Sequence, residues 1–308
     1  MKIGYFADGE WSHKALNLIL QEPSFEIQFI VARYDSPDPV LKKYTEDLGI
    51  EFLTDENVNL PIFIKLITEY QPDLLVSMSF NQILKSKLIN LAPKGFINCH
   101  AGALPFYRGR NILNWVLING ESEFGVTVHY IDEGIDTGDI ILQKKSAIDE
   151  QDDYRSLLKK ATILCAELLF ESITLIASDK VERISQQTIH PVGFYCGRRK
   201  SGDEWLDWEW NSLRIHNFVR GITAPGPGAR TIKNGEVWVI LKTKMIENAP
   251  NYIGTPGEVV GKNNKGFCVK TQDTSILVTQ LAKISETGKI EPIHCSCPIG
   301  TRFTKHEN

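Results

Sequence analysis

Short apolar runs alternate with amphipathic stretches through the first hundred residues. Lys2–Phe6 reads as a strand, Asp8-Gly9-Glu10 as a turn, and Ser12 as the N-cap of a helix through Leu20. Phe25–Ala32 is a second strand, followed by a Pro-containing loop and a helix around Val40–Leu48. Glu51–Leu53, a helix near Ile62–Tyr70, a strand at Leu74–Met78 and a helix near Ile83–Leu91 continue the alternation. Pro72–Ser79 and Gly95–Cys99 are apolar runs bounded by Pro and Gly, the texture of strands buried on both faces. The pattern predicts an α/β fold with an open, mostly parallel sheet whose ligands gather at the carboxyl ends of its strands. Asp8-Gly9 is a turn and not a GxGxxG fingerprint, so it predicts no dinucleotide site.

Further on, Tyr154–Ser178 is a long helical pattern with Leu157, Leu158, Ala161, Leu164, Cys165 and Leu168 on one stripe. The texture changes near His190. GFYCGRRKSGDEWLDWEW is loop-like and Leu213–Val219 reads as a short amphipathic helix. Gly, Pro and Asn then punctuate short apolar runs at Val237–Leu241, Gly257–Val260, Gly266–Val269 and Ser275–Gln280, the pattern of a small barrel or open-sided sheet. Two domains are expected, 1–190 and 191–308, the second smaller and β-rich. No internal repeat or low-complexity segment breaks this division.

Composition adds limits. A chain of 308 residues with 42% hydrophobic content suits about two domains, and its net charge of −4 gives no overall field for a polyanion. That weighs against a nucleic-acid partner. MKIGYFADG reads as a strand and not a signal peptide, and no apolar run approaches the ~20 residues of a membrane span, so a cytoplasmic protein is expected. The six cysteines (99, 165, 196, 268, 295 and 297) are scattered, as reduced thiols are. His294-Cys295-x-Cys297 lacks the spacing of common zinc sites, and no metal is expected.

The chemistry concentrates in Phe96–Asn111, FINCHAGALPFYRGRN. Asn98 and His100 are two apart at a strand end, so both side chains project from one face. An amide there can stabilise an oxyanion while the imidazole moves a proton. Taken alone, Asn-x-His is more often structural. The acidic loop Ile131–Ile141, IDEGIDTGDII, changes the balance, because Asp136 can orient and charge-support His100. Such a loop is otherwise a solvated turn.

Asn98-x-His100, the following ALPxYRGRN, and DEGIDTGDI with Asp136 placed 36 residues after His100 resemble the N10-formyltetrahydrofolate-dependent formyltransferases. Gly193–Ala229 is also similar to the start of the second domain in longer members. The resemblance implies a Rossmann-like formyltransferase sheet with a smaller C-terminal OB-like domain, and transfer of a formyl group to an amine. It implies that Asn98 polarises the formyl oxygen, that His100 is the general acid/base and that Asp136 orients His100 and raises its basicity. It places the pterin between the Phe80–Leu84 loop (Phe80, Gln82, Ile83, Leu84) and Ile131, Asp132, Glu133, Gly134 and Ile135, with Arg110 also toward the cofactor.

Within that family, the loop after the second strand reads ARYDSPDPVLKKY, short and nearly neutral, where methionyl-tRNA formyltransferases carry a basic insertion. Phosphate contacts supply most nucleic-acid affinity, and this loop offers few. CGRRKSGDEWLDW and HNFVRGITAPGPGA resemble the domain junction of two-domain nucleotide-sugar N-formyltransferases. The expected partners are folate and a nucleotide-linked amino sugar, without nucleic acid or membrane; a homodimer is left open. Tyr107, Arg108 and Gly109 are expected to contact the acceptor, with packing beneath the loop as the plainer alternative. Arg198 and Arg199 read equally as a diphosphate fork or as tethers to Asp203, Glu204 or Asp207. Formylation of Met-tRNA, or a non-catalytic binding module on the same fold, are the alternatives.

Overall fold

A computed structural model describes residues 1–305; the last three residues of the expected 191–308 domain lie outside the described residues. The elements run in order β1 (Lys2–Ala7), α1 (Gly9–Leu20), β2 (Glu26–Val31), α2 (Pro39–Leu48), β3 (Glu51–Leu53), α3 (Pro61–Thr68), β4 (Leu74–Met78), α4 (Ser86–Ile89) and β5 (Phe96–His100). Next come β6 (Arg108–Gly109), α5 (Ile112–Ile118), β7 (Glu123–Tyr130), β8 (Ile140–Ala147), α6 (Tyr154–Ala177), α7 (Gln186–Ile189) and β9 (Tyr195–Cys196). The remainder is α8 (Ser212–Ile222) and six strands: β10 (Ala229–Lys233), β11 (Glu236–Met245), β12 (Val259–Asn263), β13 (Gly266–Lys270), β14 (Ser275–Ile284) and β15 (Ile290–Ile293).

The chain forms two compact units, and the division is not a single cut at 190. The first contains residues 1–112, 124–146 and 159–196; the second contains 113–123, 147–158 and the described residues from Gly197 onward. Residues 191–196 stay with the first unit because β9 pairs with β6 and Phe194 packs edge-on against Tyr107. Residues 113–123 join the second because Asn114 donates to the Gly221 carbonyl and Ile118 packs on that unit's core, and 147–158 because Arg220 donates to the Asp149 and Asp152 carbonyls.

In the first unit, a seven-stranded sheet has the order β3-β2-β1-β4-β5-β7-β8. It is parallel from β3 through β5, and its inner strands β2, β1, β4 and β5 are largely buried on both faces, which is why they read as continuous apolar runs. Phe6 sits at the centre of an aromatic cluster with Phe29, Phe63, Phe80 and Phe96. β7 departs from the parallel expectation. It pairs antiparallel with β5 and sets Asn98 opposite His129.

Two helix boundaries differ from the pattern for a local reason. Helix α1 starts at Gly9, not after Ser12, because the Asp38 carboxylate accepts the Gly9 N–H at 2.9 Å, while the Ser12 hydroxyl donates back to the Gly9 carbonyl. Helix α4 is one turn and not two. The Gln82 side chain is taken up by Val58 and Asp55, and Asn59 grips the Ile83 carbonyl and the Lys85 N–H, which holds 82–85 as a loop.

The second unit is an antiparallel sheet of order β10-β11-β14-β13-β12, with β15 also on β14. Thr304 bridges to Ile232 and Arg302 to Glu258, so the last described residues line both edge strands. Its core gathers Trp208, Phe218, Trp238, Phe267 and Phe303, with Phe267 and Phe303 stacked at 5.9 Å. No described helix is long and apolar enough to cross a membrane. All six cysteines are free thiols.

Candidate active site

Strand β5 ends at the carboxyl edge of the first unit's sheet, and its last residues carry Asn98 and His100. The His100 ring is buried, with Nε2 2.7 Å from the Tyr107 carbonyl. A carbonyl only accepts, so Nε2 holds the hydrogen and Nδ1 is the nitrogen left to take a proton. Gly102 makes the contact feasible: a Cβ there would lie 2.5 Å from the Tyr107 oxygen and 2.6 Å from Nε2.

His129, on the neighbouring strand, repeats the arrangement. Its Nδ1 is 2.8 Å from the Tyr130 carbonyl, which turns Nε2 toward the amide of Asn98 at 3.3 Å. The Asn98 amide therefore has one N–H directed at His129 and a second to offer elsewhere. Asp136 lies between the two rings. Its Oδ2 is 3.7 Å from His100 Nδ1 and its Oδ1 is 3.6 Å from His129 Nε2. Each ring thus fixes one nitrogen on a backbone carbonyl and presents the other to the same carboxylate.

Burial works to raise the Asp136 pKa, yet the neighbouring imidazoles of His100 and His129 and the Gly109 N–H at 2.8 Å hold it well below the usual carboxylate range. The carboxylate stays ionised. Its backbone is left-handed, with φ of +55°, a conformation Asp tolerates better than most residues. An amide donor, a buried imidazole and a fixed carboxylate can together meet negative charge on a carbonyl oxygen and accept a proton from an attacking amine. His129 escaped the sequence reading. The signal was present in the alternation of VTVHYI, which puts His129 on a sheet face two residues before the acidic loop.

The structure treats the remaining expected residues differently. Phe80 and Ile131 pack on one apolar cluster that also includes Leu84, so the two expected cofactor loops share a floor. Ser86 donates to the Glu133 carboxylate and ties the loops together. Ile83 and Ile135 are exposed by 64% and 52%, apolar surface left open beside that floor. The buried Asn81 Oδ1, between Phe80 and Gln82, has no hydrogen-bond partner. Asp132 caps its own turn through Gly134 and Thr137, and the Gln82 side chain braces residues 55–58. The side chains of Gln82 and Asp132 are thus spent within the fold, which leaves the backbone groups at those positions to read a ligand edge. Arg110 extends the β6–β9 ladder through its N–H and exposes its side chain.

Among the expected acceptor contacts, Tyr107 is buried, and Arg108 is buried with its guanidinium on Gln186 and the Val192 carbonyl. Gly109 faces Asp136 through its N–H. Arg198 and Arg199 do not form a fork. Arg199 is half-buried over the rings of Trp115 and Phe218 and donates to the Asp203 carbonyl, whereas Arg198 is exposed. Glu204 pairs with Arg230 and Asp207 with Lys305. Among the described residues, no group of three or more His, Cys, Asp or Glu is placed to hold a metal.

Residues 10–173 match the model of the formyl transferase family, and residues 199–291 match that of the formyl transferase C-terminal domain. The chain belongs to the formyltransferase family. A relative described as methionyl-tRNA formyltransferase, from Geotalea daltonii, is 31% identical over 289 residues, covering 91% of this chain and 90% of the relative. Among solved structures, WlaRD, a sugar 3N-formyl transferase crystallised with dTDP and 5-N-formyl-THF, superposes with a TM-score of 0.69 at 23% identity, covering 96% of this chain and 98% of its own. The N-formyltransferase from Helicobacter canadensis, in complex with folinic acid and dTDP-3-aminofucose, gives 0.68 at 23%, covering 91% and 99%. At that identity the two structures establish the fold alone. The protein is a formyl-transferring enzyme with N10-formyltetrahydrofolate as its one-carbon donor.

Proposed function

We propose that this formyltransferase acts on the primary amine of a nucleotide-linked amino-deoxysugar, yielding the N-formylated sugar nucleotide and tetrahydrofolate. The reading rests on the loop between β2 and α2, residues 32–38. It is short, and its one cation is engaged within the fold: Arg33 binds Asp35 at 3.0 Å and Asp8 at 3.3 Å. Asp38 in the same loop is buried and turned inward. A loop so arranged offers no phosphate contacts. Residues 1–196 reinforce this, with eighteen Lys and Arg against twenty-seven Asp and Glu, a formal −9.

The donor supplies an activated formyl carbonyl. Asn98 Nδ2 offers its free N–H to the oxygen that gains charge, with His129 fixing the orientation of the amide. His100 Nδ1 takes the proton of the attacking amine, Asp136 stabilises the imidazolium that results, and that proton would pass to N10 as the formyl carbon–N10 bond breaks and tetrahydrofolate leaves. The shared floor of Phe80, Leu84 and Ile131 suits a flat heterocycle, with the exposed Ile83 and Ile135 on its rim.

Formylation of Met-tRNA is the second reading. The relative of near full-length coverage favours it, and so does the charge of residues 197–308, sixteen Lys and Arg against eleven Asp and Glu, a formal +5. One screen separates the two: tetrahydrofolate release with UDP- and dTDP-linked 3-amino- and 4-amino-dideoxysugars, run beside Met-tRNA. Turnover of a sugar nucleotide, weakly dependent on salt and unaffected by added Met-tRNA, is expected. Efficient formylation of Met-tRNA with a steep salt dependence overturns the proposal.

A further inference from the structure

The turn that carries Asp136 leaves two backbone carbonyls, those of Asp136 and Gly138, directed at one buried side chain. Gln186 Nε2 donates to both, at 2.9 and 2.8 Å. The same amide's Oε1 accepts from Arg108 Nη2 at 2.7 Å and Nε at 3.1 Å. Arg108 is held in turn by the Val192 carbonyl at 3.1 Å and by the Tyr195 ring below its guanidinium. Gln186 is 2% exposed and Arg108 is 8% exposed, so neither is free for solvent.

A carboxamide suits this place chemically. It brings two donors and an acceptor at one end without charge, which matches two carbonyls on one side and a guanidinium on the other. The next residue of strand β6, Gly109, donates to the Asp136 carboxylate itself. The turn is also tight from the opposite direction: a Cβ on Gly138 would lie 1.9 Å from the Tyr130 carbonyl. With its side chain, its backbone and its neighbour each fixed, Asp136 has little freedom between the two imidazoles.

We propose that Gln186, braced by Arg108, is a positioning residue for formyl transfer: it holds the left-handed Asp136 turn so that one carboxylate serves His100 and His129 together. Arg108 accordingly acts through Gln186 and does not touch the acceptor. The inference rests on formyl transfer and not on which amine is formylated. Carboxylate placement matters because a displacement of about 1 Å in a reacting constellation can cost ~10²-fold in rate.

Two variants test it, each checked for folding by circular dichroism. Gln186→Glu keeps an acceptor for Arg108 but removes both donors from the turn. The pair Arg108→Met with Gln186→Met removes the polar groups together, so that no unpaired guanidinium is left buried. Both are expected to lose ~10–10²-fold in kcat with little change in KM for donor or acceptor, the scale of an outer-shell partner. Among the described residues, the titratable side chains paired with Asp136 are His100 of β5 and His129 of β7. In the Met pair, carbon-13 NMR of the folded protein should show the Asp136 carboxyl titrating at higher pH than in the wild type. That readout needs no acceptor, so it judges the inference even if sugar nucleotides are not turned over. Wild-type kcat in both variants, or an unmoved Asp136 titration in the Met pair, overturns it.

Discussion

The sheet edge carries two aspartates paired with histidine, and the two arrangements are built in opposite ways. His13 Nε2 meets Asp38 at 2.7 Å, and that carboxylate also accepts the N–H groups of Gly9, Val40 and Leu41. Every acceptor direction of Asp38 is taken, and the result is a joint between α1 and α2. Asp136 instead stands 3.6–3.7 Å from each of two imidazoles and takes one backbone N–H on its side chain. His100 Nδ1 is aimed at it but not yet bonded, while His129 Nε2 is also within reach of the Asn98 amide. A closed pair fastens the chain, whereas a pre-aimed open one keeps capacity for a proton in transit.

The comparison breaks most directly at the imidazoles. His100→Ala should lower turnover by ~10²–10⁴-fold, the usual worth of a placed general base, with far less effect on folate binding. His13→Ala should leave turnover unchanged and lower only the melting temperature. Steady-state kinetics beside thermal melts decides, and equal kinetic losses from the two changes would erase the distinction. Asn98→Ala comes next, at ~10²–10³-fold for one lost oxyanion donor. The double change with His100→Ala should cost far less than the product of the two, because both act on one transition state.

Asp136→Asn keeps the shape of the open pair and removes its charge. A loss of ~10–10²-fold is expected, as for a residue acting through its neighbours. Without the carboxylate the imidazole is less basic, so the limb of the rate–pH profile that rises with deprotonation should move toward acid. A limb that stays in place would mean that Asp136 does not share its charge with the titrating base.

Much of this architecture was legible in the chain. Apolar runs located β1, β2, β4 and β5, because strands buried on both faces must be apolar throughout, and Asn98, His100 and Asp136 stood out through their spacing. What stayed hidden arises from pairing between distant segments. His129 becomes a neighbour of Asn98 only because β7 runs antiparallel to β5, and a two-residue period carries no information about which strand lies alongside. The sequence left Arg108 between acceptor contact and packing beneath the loop, because its buried partner Gln186 lies 78 residues away. The start of α1 was misplaced for the same reason, its cap being supplied by Asp38 from the next loop.

The smallest effect is thermodynamic and belongs to the closed pair. Burial of Asp38 favours the protonated acid, but the N–H groups of Gly9, Leu41 and Val40 together with His13 outweigh it and lower its pKa. A carboxyl whose pKa is depressed in the folded state binds fewer protons there than in the unfolded chain, so its stabilisation is present above the unfolded value, ~3.9, and fades as pH falls toward the folded one. Asp38 also caps α2, and its replacement by Ala should cost ~0.5–2 kcal/mol at neutral pH. The melting temperatures of wild type and Asp38→Ala should therefore be separated at neutral pH and converge as the medium becomes more acid than about pH 4. Asp136 is present in both proteins, so its own depressed pKa cancels in the difference. A separation that persists unchanged into acid would show that Asp38 acts through packing and not through its charge, and the two pairs would then differ in less than their geometry implies.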